Sequence, residues 1–305
     1  MRVFVTGASG HIGSAVVPEL QSAGHHVVAL ARSDASADAL IAAGVEVCLG
    51  SLEDVNVLRE ATANSDGVIH LAFKHEAMRA GDFAGAIEAD LRAIEAIGDA
   101  LVDTGKPFVT TSGTLLLSFA GLGRVGTEAD ALPGGPRIDA ENVVVALAQR
   151  GVRSSVIRLP PTVHSTLDSH GYIPTLIAVA RAKGVAAYVG DGSNRWPAGH
   201  TLDAARLYRI ALERAPAGSR LHAVGDDGIE FRDIAAVIGR HLNVPVVSVD
   251  PADATAHFGF LGPFVSLDNP TSSKETQTLL GWHPSNPGLI DDLEQGHYFA
   301  ITTGF

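Results

Sequence analysis

The segment Thr6-Gly7-Ala8-Ser9-Gly10-His11-Ile12-Gly13 lies between the apolar run Val3-Phe4-Val5 and Ala15-Val16-Val17-Pro18-Glu19-Leu20, and it constrains this chain more than any other. A strand that runs into a glycine-rich turn and then a helix is an arrangement that binds a dinucleotide. Gly7 permits the tight turn, Gly10 lets the backbone approach a pyrophosphate, and Gly13 lets the helix pack closely on the strand. N–H groups at the helix start face the phosphate, so Ser9, His11 and Ile12 join the glycines as candidate cofactor contacts. In a chain with 33 glycines the bare pattern is weak. Its place, directly after a strand and opening a helix, makes it specific.

The run His26-Val27-Val28-Ala29-Leu30-Ala31 reads as a second strand, ending at Arg32-Ser33-Asp34. An acidic residue at this end holds the adenosine ribose of NAD, whereas a cation pairs with the 2′-phosphate of NADP. Arg32 with Ser33 favours NADP, and Asp34 keeps NAD as the alternative. A helix over 36–43 and a strand over 45–49 follow. Ser51 stands at the next N-cap with Glu53 and Asp54 in the first turn, and Ser51 and Leu52 are expected near the adenine. A fourth strand, Gly67-Val68-Ile69-His70-Leu71-Ala72, delivers Phe73, Lys74 and His75 to the carboxyl edge of the sheet, where open α/β folds bind ligands. A helix over 82–104 carries Ile87, Leu91, Ile94, Ile97 and Leu101 at helical spacing, which is packing.

The fifth strand, Pro107-Phe108-Val109-Thr110-Thr111-Ser112, ends on a hydroxyl pair. An irregular stretch over 113–135 leads to a helix over 137–150 that Gly151 terminates. The sixth strand, over 154–159, stops at Pro160-Pro161. Strands alternating with helices over 160 residues indicate a mainly parallel sheet covered on both faces. Beyond Thr162 the pattern loosens. His164, His170 and Tyr172 lie in a polar loop before a helix over 173–183, and 190–197 is rich in turns. Helices are expected over 203–214 and 230–242, a strand over 246–249, and two helical pieces in the tail on either side of Trp282-His283-Pro284.

Composition limits the alternatives. A length of 305 residues with 46% hydrophobic and 18% charged residues supports a large core, and the net charge of −12 argues against a nucleic-acid surface. No apolar run reaches the length of a membrane span, and a first strand at Arg2 leaves no room for a signal peptide, so a cytoplasmic protein is expected. The single cysteine, Cys48, lies in an apolar alternation and reads as a buried strand thiol. Despite 13 histidines, no close His/Asp/Glu spacing suggests a metal site, and none is expected.

The fingerprint Thr6-Gly7-x-x-Gly10-x-x-Gly13 combines with His70-Leu71-Ala72, the Thr111-Ser112 strand end, Arg158-Leu159-Pro160-Pro161-Thr162-Val163-His164 and Leu280-Gly281-Trp282-His283-Pro284. Together these resemble the extended, epimerase/dehydratase-like short-chain dehydrogenase/reductases over nearly the whole chain. The resemblance implies an α/β fold: a Rossmann-type doubly wound parallel sheet with a smaller C-terminal α/β substrate domain. The NADP-binding domain would cover 1–162 with 198–225 returning to it, and the substrate domain 163–197 and 226–305. It adds Leu71, Ala72, Phe73, Lys74 and Pro160 to the cofactor contacts, and implies a homodimer through helices of the sheet domain. The family's catalytic centre is a Ser or Thr, a Tyr, and a Lys four residues after the Tyr. Ser112 matches the first, but counting back from Glu141 and Arg158 puts Arg137 in the lysine position and Pro133 in the tyrosine position, as in atypical members.

Arg137 can hold the ribose and supply positive charge, but its pKa above about 12 bars it from donating protons at neutral pH. Tyr172, His164, His170, Lys74 and His75 are the groups left to move a proton, with Ser112 donating to a carbonyl oxygen. His200 and Trp196 shape the pocket or pack beneath it. These readings favour an NADP-dependent oxidoreductase that reduces a carbonyl group of a small or medium-sized molecule. A non-catalytic NADP-binding sensor is the alternative, and a sugar-nucleotide epimerase or dehydratase the lesser one, since that chemistry also needs the Tyr–Lys pair.

Overall fold

The structure, a computed structural model, describes residues 1–300, so positions 301–305 of the expected substrate domain lie outside the described residues. Strands and helices alternate as β1 (Arg2–Thr6), α1 (His11–Ser22), β2 (His26–Ala31), α2 (Asp34–Ala42), β3 (Glu46–Leu49), α3 (Val55–Ala63), β4 (Gly67–His70), α4 (His75–Arg79), α5 (Phe83–Leu101), β5 (Pro107–Gly113), α6 (Ile138–Ala146) and β6 (Arg153–Leu159). The remainder forms β7 (Thr162–His164), α7 (Tyr172–Lys183), β8 (Ala186–Val189), β9 (Arg195–His200), α8 (Thr201–Arg214), β10 (Ser219–His222), β11 (Asp226–Glu230), α9 (Phe231–Leu242), β12 (Val246–Val249), α10 (Ala254–Phe258), α11 (Lys274–Leu280) and α12 (Leu289–Glu294).

Seven strands in the order β10-β6-β5-β4-β1-β2-β3 make one parallel sheet. Its strands are apolar on both faces because both faces are covered. Val3, Val5, Val109 and Ile157 join one core with α1 and α8, while their neighbours Phe4, Phe108 and Val156 join the other with α5 and α6. Strand order reverses between β1 and β4, which opens a ligand crevice at their carboxyl ends. A third core gathers Ile177, Trp196, Phe231, Ile238 and Phe258 around two small sheets, β11-β9-β7 and β12-β8.

Several local expectations are corrected. Ser51 does not cap a helix: its N–H and hydroxyl both donate to Asp54 Oδ2 (2.7 and 2.9 Å), so α3 starts only at Val55. The stretch after β5 opens with a 3-10 helix, Thr114–Ala120, and α6 ends at Ala146, continuing as a 3-10 turn to Arg150 before Gly151 at φ 71°. His164 is in a strand rather than a loop. The turn-rich 190–197 ends inside β9, the middle strand of its sheet. Pro197, which lacks an N–H, is accommodated there because the pairing with β11 is irregular between Ile229, opposite Trp196, and Asp226, opposite Ala198. Cys48 is half-buried on β3, at the sheet edge.

A buried ionic knot joins β6, α6 and β10. Arg158, 1% exposed, donates to Glu141 through Nε (3.0 Å) and Nη2 (2.5 Å), and Arg220 Nε donates to the same carboxylate at 2.7 Å. Burial alone would raise the Glu141 pKa, but the two guanidiniums outweigh it and hold the carboxyl below its ordinary range. His222 donates from Nδ1 to the Ser272 carbonyl (2.7 Å) and accepts at Nε2 from Arg158 (3.3 Å); burial pushes its pKa down to about 4. Removing one partner strands the other charge in the core. Arg158→Met should therefore cost about 3–5 kcal/mol in urea unfolding. A loss below about 1 kcal/mol would show that the knot is not structurally important.

Candidate functional site: the dinucleotide crevice

β1 hands the chain to the glycine turn at Thr6. Gly7 stands at φ 73°, and a Cβ there would lie 2.7 Å from the Ala72 nitrogen. A Cβ on Gly13 would lie 2.2 Å from the Gly7 carbonyl oxygen, so only glycine permits this approach of helix to turn. The Gly10 N–H donates to Gly7 O at 3.0 Å and closes the turn. No side chain caps α1, which leaves its N-terminal N–H groups for an anion, and Ser9 and Gly10 are exposed at the mouth. The residues present fit a dinucleotide pyrophosphate.

A polar relay fixes the β4 side of this cradle. The Thr6 hydroxyl accepts from the Ala72 N–H (3.3 Å) and lies 2.8 Å from His70 Nδ1, while His70 Nε2 lies 3.1 Å from Asp90 Oδ1. With Asp90 accepting, Nε2 carries the ring proton and Nδ1 accepts from Thr6. The relay holds Leu71 and Ala72 against Gly7. Sequence reasoning missed it, although one signal was visible: Asp90 stands between buried Ala89 and Ala93 on the apolar face of α5.

Beyond Ala72 the structure brings together Phe73, Thr111, Ser112 and Arg137. The Arg137 guanidinium carbon sits 4.1 Å above the Phe73 ring, and Nη2 lies 3.5 Å from the Thr111 carbonyl oxygen. Arg137 adopts φ 63°, an uncommon backbone for a residue with a side chain, immediately before α6. Its neighbour in the expected tyrosine position, Pro133, is exposed. The Thr111 hydroxyl is committed, donating to His70 O (3.0 Å) and accepting from Tyr208 (2.7 Å). Ser112 is buried at the end of β5, and its hydroxyl faces the Glu141 carboxylate of α6, which it helps hold below the ordinary range.

Other candidates go elsewhere. His164 is fully buried, its Nδ1 2.8 Å from Asp292 Oδ2 and its ring edge-on to His200 at 5.4 Å. Tyr172 opens α7, and its ring packs against Trp196 (5.6 Å) and Phe264 (6.5 Å) in the third core. His170 is exposed, with Nδ1 2.7 Å from Ser169 Oγ, and His75 lies edge-on to Phe73 at 5.1 Å. At the adenine end Arg32 pairs with Glu76 (2.9 Å), Ser33 caps α2, Lys74 pairs with Glu53, and Leu52 is buried. Pro160 is buried, with Cγ 3.3 Å from the place of a Cβ on Gly199. Among the described residues, no group of three His, Cys, Asp or Glu could hold a metal ion, and no helix is long and apolar enough to cross a membrane.

His11 links the cradle to the C-terminal half. Thr201 Oγ1 donates to His164 O (3.1 Å) and accepts from Ser165 Oγ (2.9 Å), so His11 Nε2, 2.8 Å away, donates to it. Nδ1 then faces Asp168 Oδ1 at 3.8 Å. Burial pushes His11 down to about 4, aided by His164 and His170, and pushes Asp168 up to about 6. The signs oppose. Stability from Asp168 is complete below the unfolded pKa of about 3.9 and is lost as pH rises through about 6. Stability from neutral His11 is complete above about pH 6.5 and is lost as pH falls through about 4. Asp168→Asn removes only the first term, so its urea midpoint should fall more steeply than the parent's from pH 6 to pH 4. Parallel curves would contradict this assignment.

The comparisons with known proteins agree with this geometry. Residues 7–157 match a family described as NAD(P)H-binding. An uncharacterized protein of Schizosaccharomyces pombe is 48% identical over 98% of this chain and 100% of its own length. The 2-alkyl-3-oxoalkanoate reductase of Stenotrophomonas maltophilia is 30% identical over 72% of this chain and 67% of its own. The solved dTDP-glucose 4,6-dehydratase of Streptomyces venezuelae, with NAD bound, superimposes with a TM-score of 0.76 at 20% identity, covering 98% of this chain and 97% of that one. Joined with the seven-stranded sheet and its glycine cradle, these relationships show that the chain belongs to an NAD(P)-binding oxidoreductase family and has the fold of the epimerase/dehydratase structures.

Proposed function

We propose that the protein is an NADPH-dependent reductase of a carbonyl compound. The observation that carries this reading is the place of the buried Ser112 hydroxyl, at the end of β5 where the Arg137 guanidinium meets Phe73 and the Thr111 carbonyl. The bound reduced nicotinamide would supply a hydride for the carbonyl carbon. Ser112 donates to the carbonyl oxygen, and Arg137, always cationic, stabilises the negative charge that develops there and holds the ribose. A proton from water completes the alcohol, so ketone, NADPH and one proton become alcohol and NADP. His164, buried against Asp292 and His200, and Tyr172, packed on Trp196 and Phe264, are assigned no proton transfer. The name of the 30% identical reductase supports the same class of reaction. In this reading 1–162 with 198–225 is the cofactor domain, and 163–197 with the rest of the chain the substrate domain.

NADPH is preferred over NADH because Arg32 ends β2. Its pairing with Glu76 is between side chains 70% and 75% exposed, which is weak and readily exchanged for a 2′-phosphate. A second reading rests on Pro133 and Arg137 in place of the family's Tyr and Lys: a dinucleotide sensor without turnover. Sugar-nucleotide chemistry is disfavoured by the same pair.

Absorbance of NADPH with a panel of ketones and aldehydes separates the first two readings. Oxidation of NADPH supports the reductase, and tight binding without oxidation on any of the panel supports the sensor. Ser112→Ala should lower kcat/KM about 10–100-fold with NADPH affinity nearly intact, and undiminished turnover would remove Ser112 from the mechanism. Arg32→Glu should shift the ratio of NADPH to NADH affinity by about tenfold or more toward NADH. An unchanged ratio would reassign the choice of cofactor.

A further inference from the structure

The chain between α10 and α11 meets the sheet body near both of its ends. Near its start, Phe260 stacks on Phe83, the first residue of α5, at 6.4 Å and 14°. At its end Asn269 exchanges two buried hydrogen bonds with Thr114, the residue after β5: Nδ2 donates to Thr114 O (2.9 Å), and Thr114 Oγ1 donates to Oδ1 (3.1 Å). Pro270 O then accepts from the Gly126 N–H at 2.8 Å. The segment thus touches the sheet body on the connections that leave β4 and β5, the two strands whose ends carry Phe73 and Ser112. It forms a strap over the reacting edge.

The strap presents aromatic rings. Phe260 meets Phe264 at 5.8 Å, and Phe264 stacks on Tyr172 at 6.5 Å and 25°. The row therefore runs from Phe83, 44% exposed despite its size, to the third core. A row of aromatic rings offers a diphosphate neither a cation nor a hydrogen-bond donor.

We infer that the row Phe83, Phe260 and Phe264, backed by Tyr172 in the third core, is the substrate wall of the crevice, and that it selects an uncharged carbonyl compound with a long apolar substituent over a sugar nucleotide. This rests on the reductase reading for its chemistry, though not for its binding. The test uses the whole protein saturated with NADP in calorimetry, and NADPH oxidation in parallel, with straight-chain methyl ketones from butan-2-one to nonan-2-one. Each added methylene should raise kcat/KM and affinity about fourfold until the row is covered. Phe264→Ala should lower the nonan-2-one to butan-2-one ratio at least tenfold, and Phe264→Leu, which keeps apolar area and guards against a folding failure, should retain most of it. A flat series, or UDP-glucose bound where nonan-2-one is not, overturns the wall. Chain-length-dependent binding that Phe264→Ala abolishes, with no NADPH oxidation, upholds the wall and overturns the reductase instead.

Discussion

The contact on which the rest depends is the approach of α1 to the turn that precedes it. A Cβ on Gly13 would lie 2.2 Å from the Gly7 carbonyl oxygen, and one on Gly7 would lie within 3 Å of Ala72. These absent atoms bring the ends of β1 and β4 and the start of α1 to one point, with the helix N–H groups directed at it. The relay Thr6–His70–Asp90 fixes the same point from below through hydrogen bonds that are fully buried. Everything assigned to the cofactor is placed relative to that junction, including Phe73 one residue past Ala72 and Arg137 resting on its ring.

The C-terminal half is attached to the sheet by polar contacts as well as by apolar packing. His11, at the first turn of α1, is hydrogen-bonded through Thr201 to Ser165 and the His164 carbonyl, so the cradle and the loop before α7 share one network. Arg158, Glu141 and His222 do the same between the sheet and the chain at Ser272. Removing either network leaves buried polar groups without partners, which costs more than the bonds themselves contribute.

Much of this was legible in the sequence because it follows from short-range rules. Val3-Phe4-Val5 and Phe108-Val109 are apolar at every position because each strand is covered on both faces, and Gly7 and Gly13 stand where the backbone tolerates nothing larger. What escaped reading depends on distant partners. Ser51 resembles a cap by position, but Asp54 takes both of its donors. Pro197 looks like a turn, yet the irregular pairing of β11 lets it sit in a strand. Tyr172 and His164 look like free loop acids, and only the fold shows Trp196, Phe264 and Asp292 around them. Phe83 and Phe260 are 177 positions apart, which no local pattern links.

The most direct measurement is a calorimetric titration of the protein with NADPH, repeated with a Gly7→Val variant whose folding is verified by circular dichroism. The account requires saturable binding at one site per chain in the parent and its loss when the added side chain fills the space beside Ala72. A folded parent that binds no dinucleotide, or a folded variant that binds it as tightly, would contradict the cradle on which the whole reading stands.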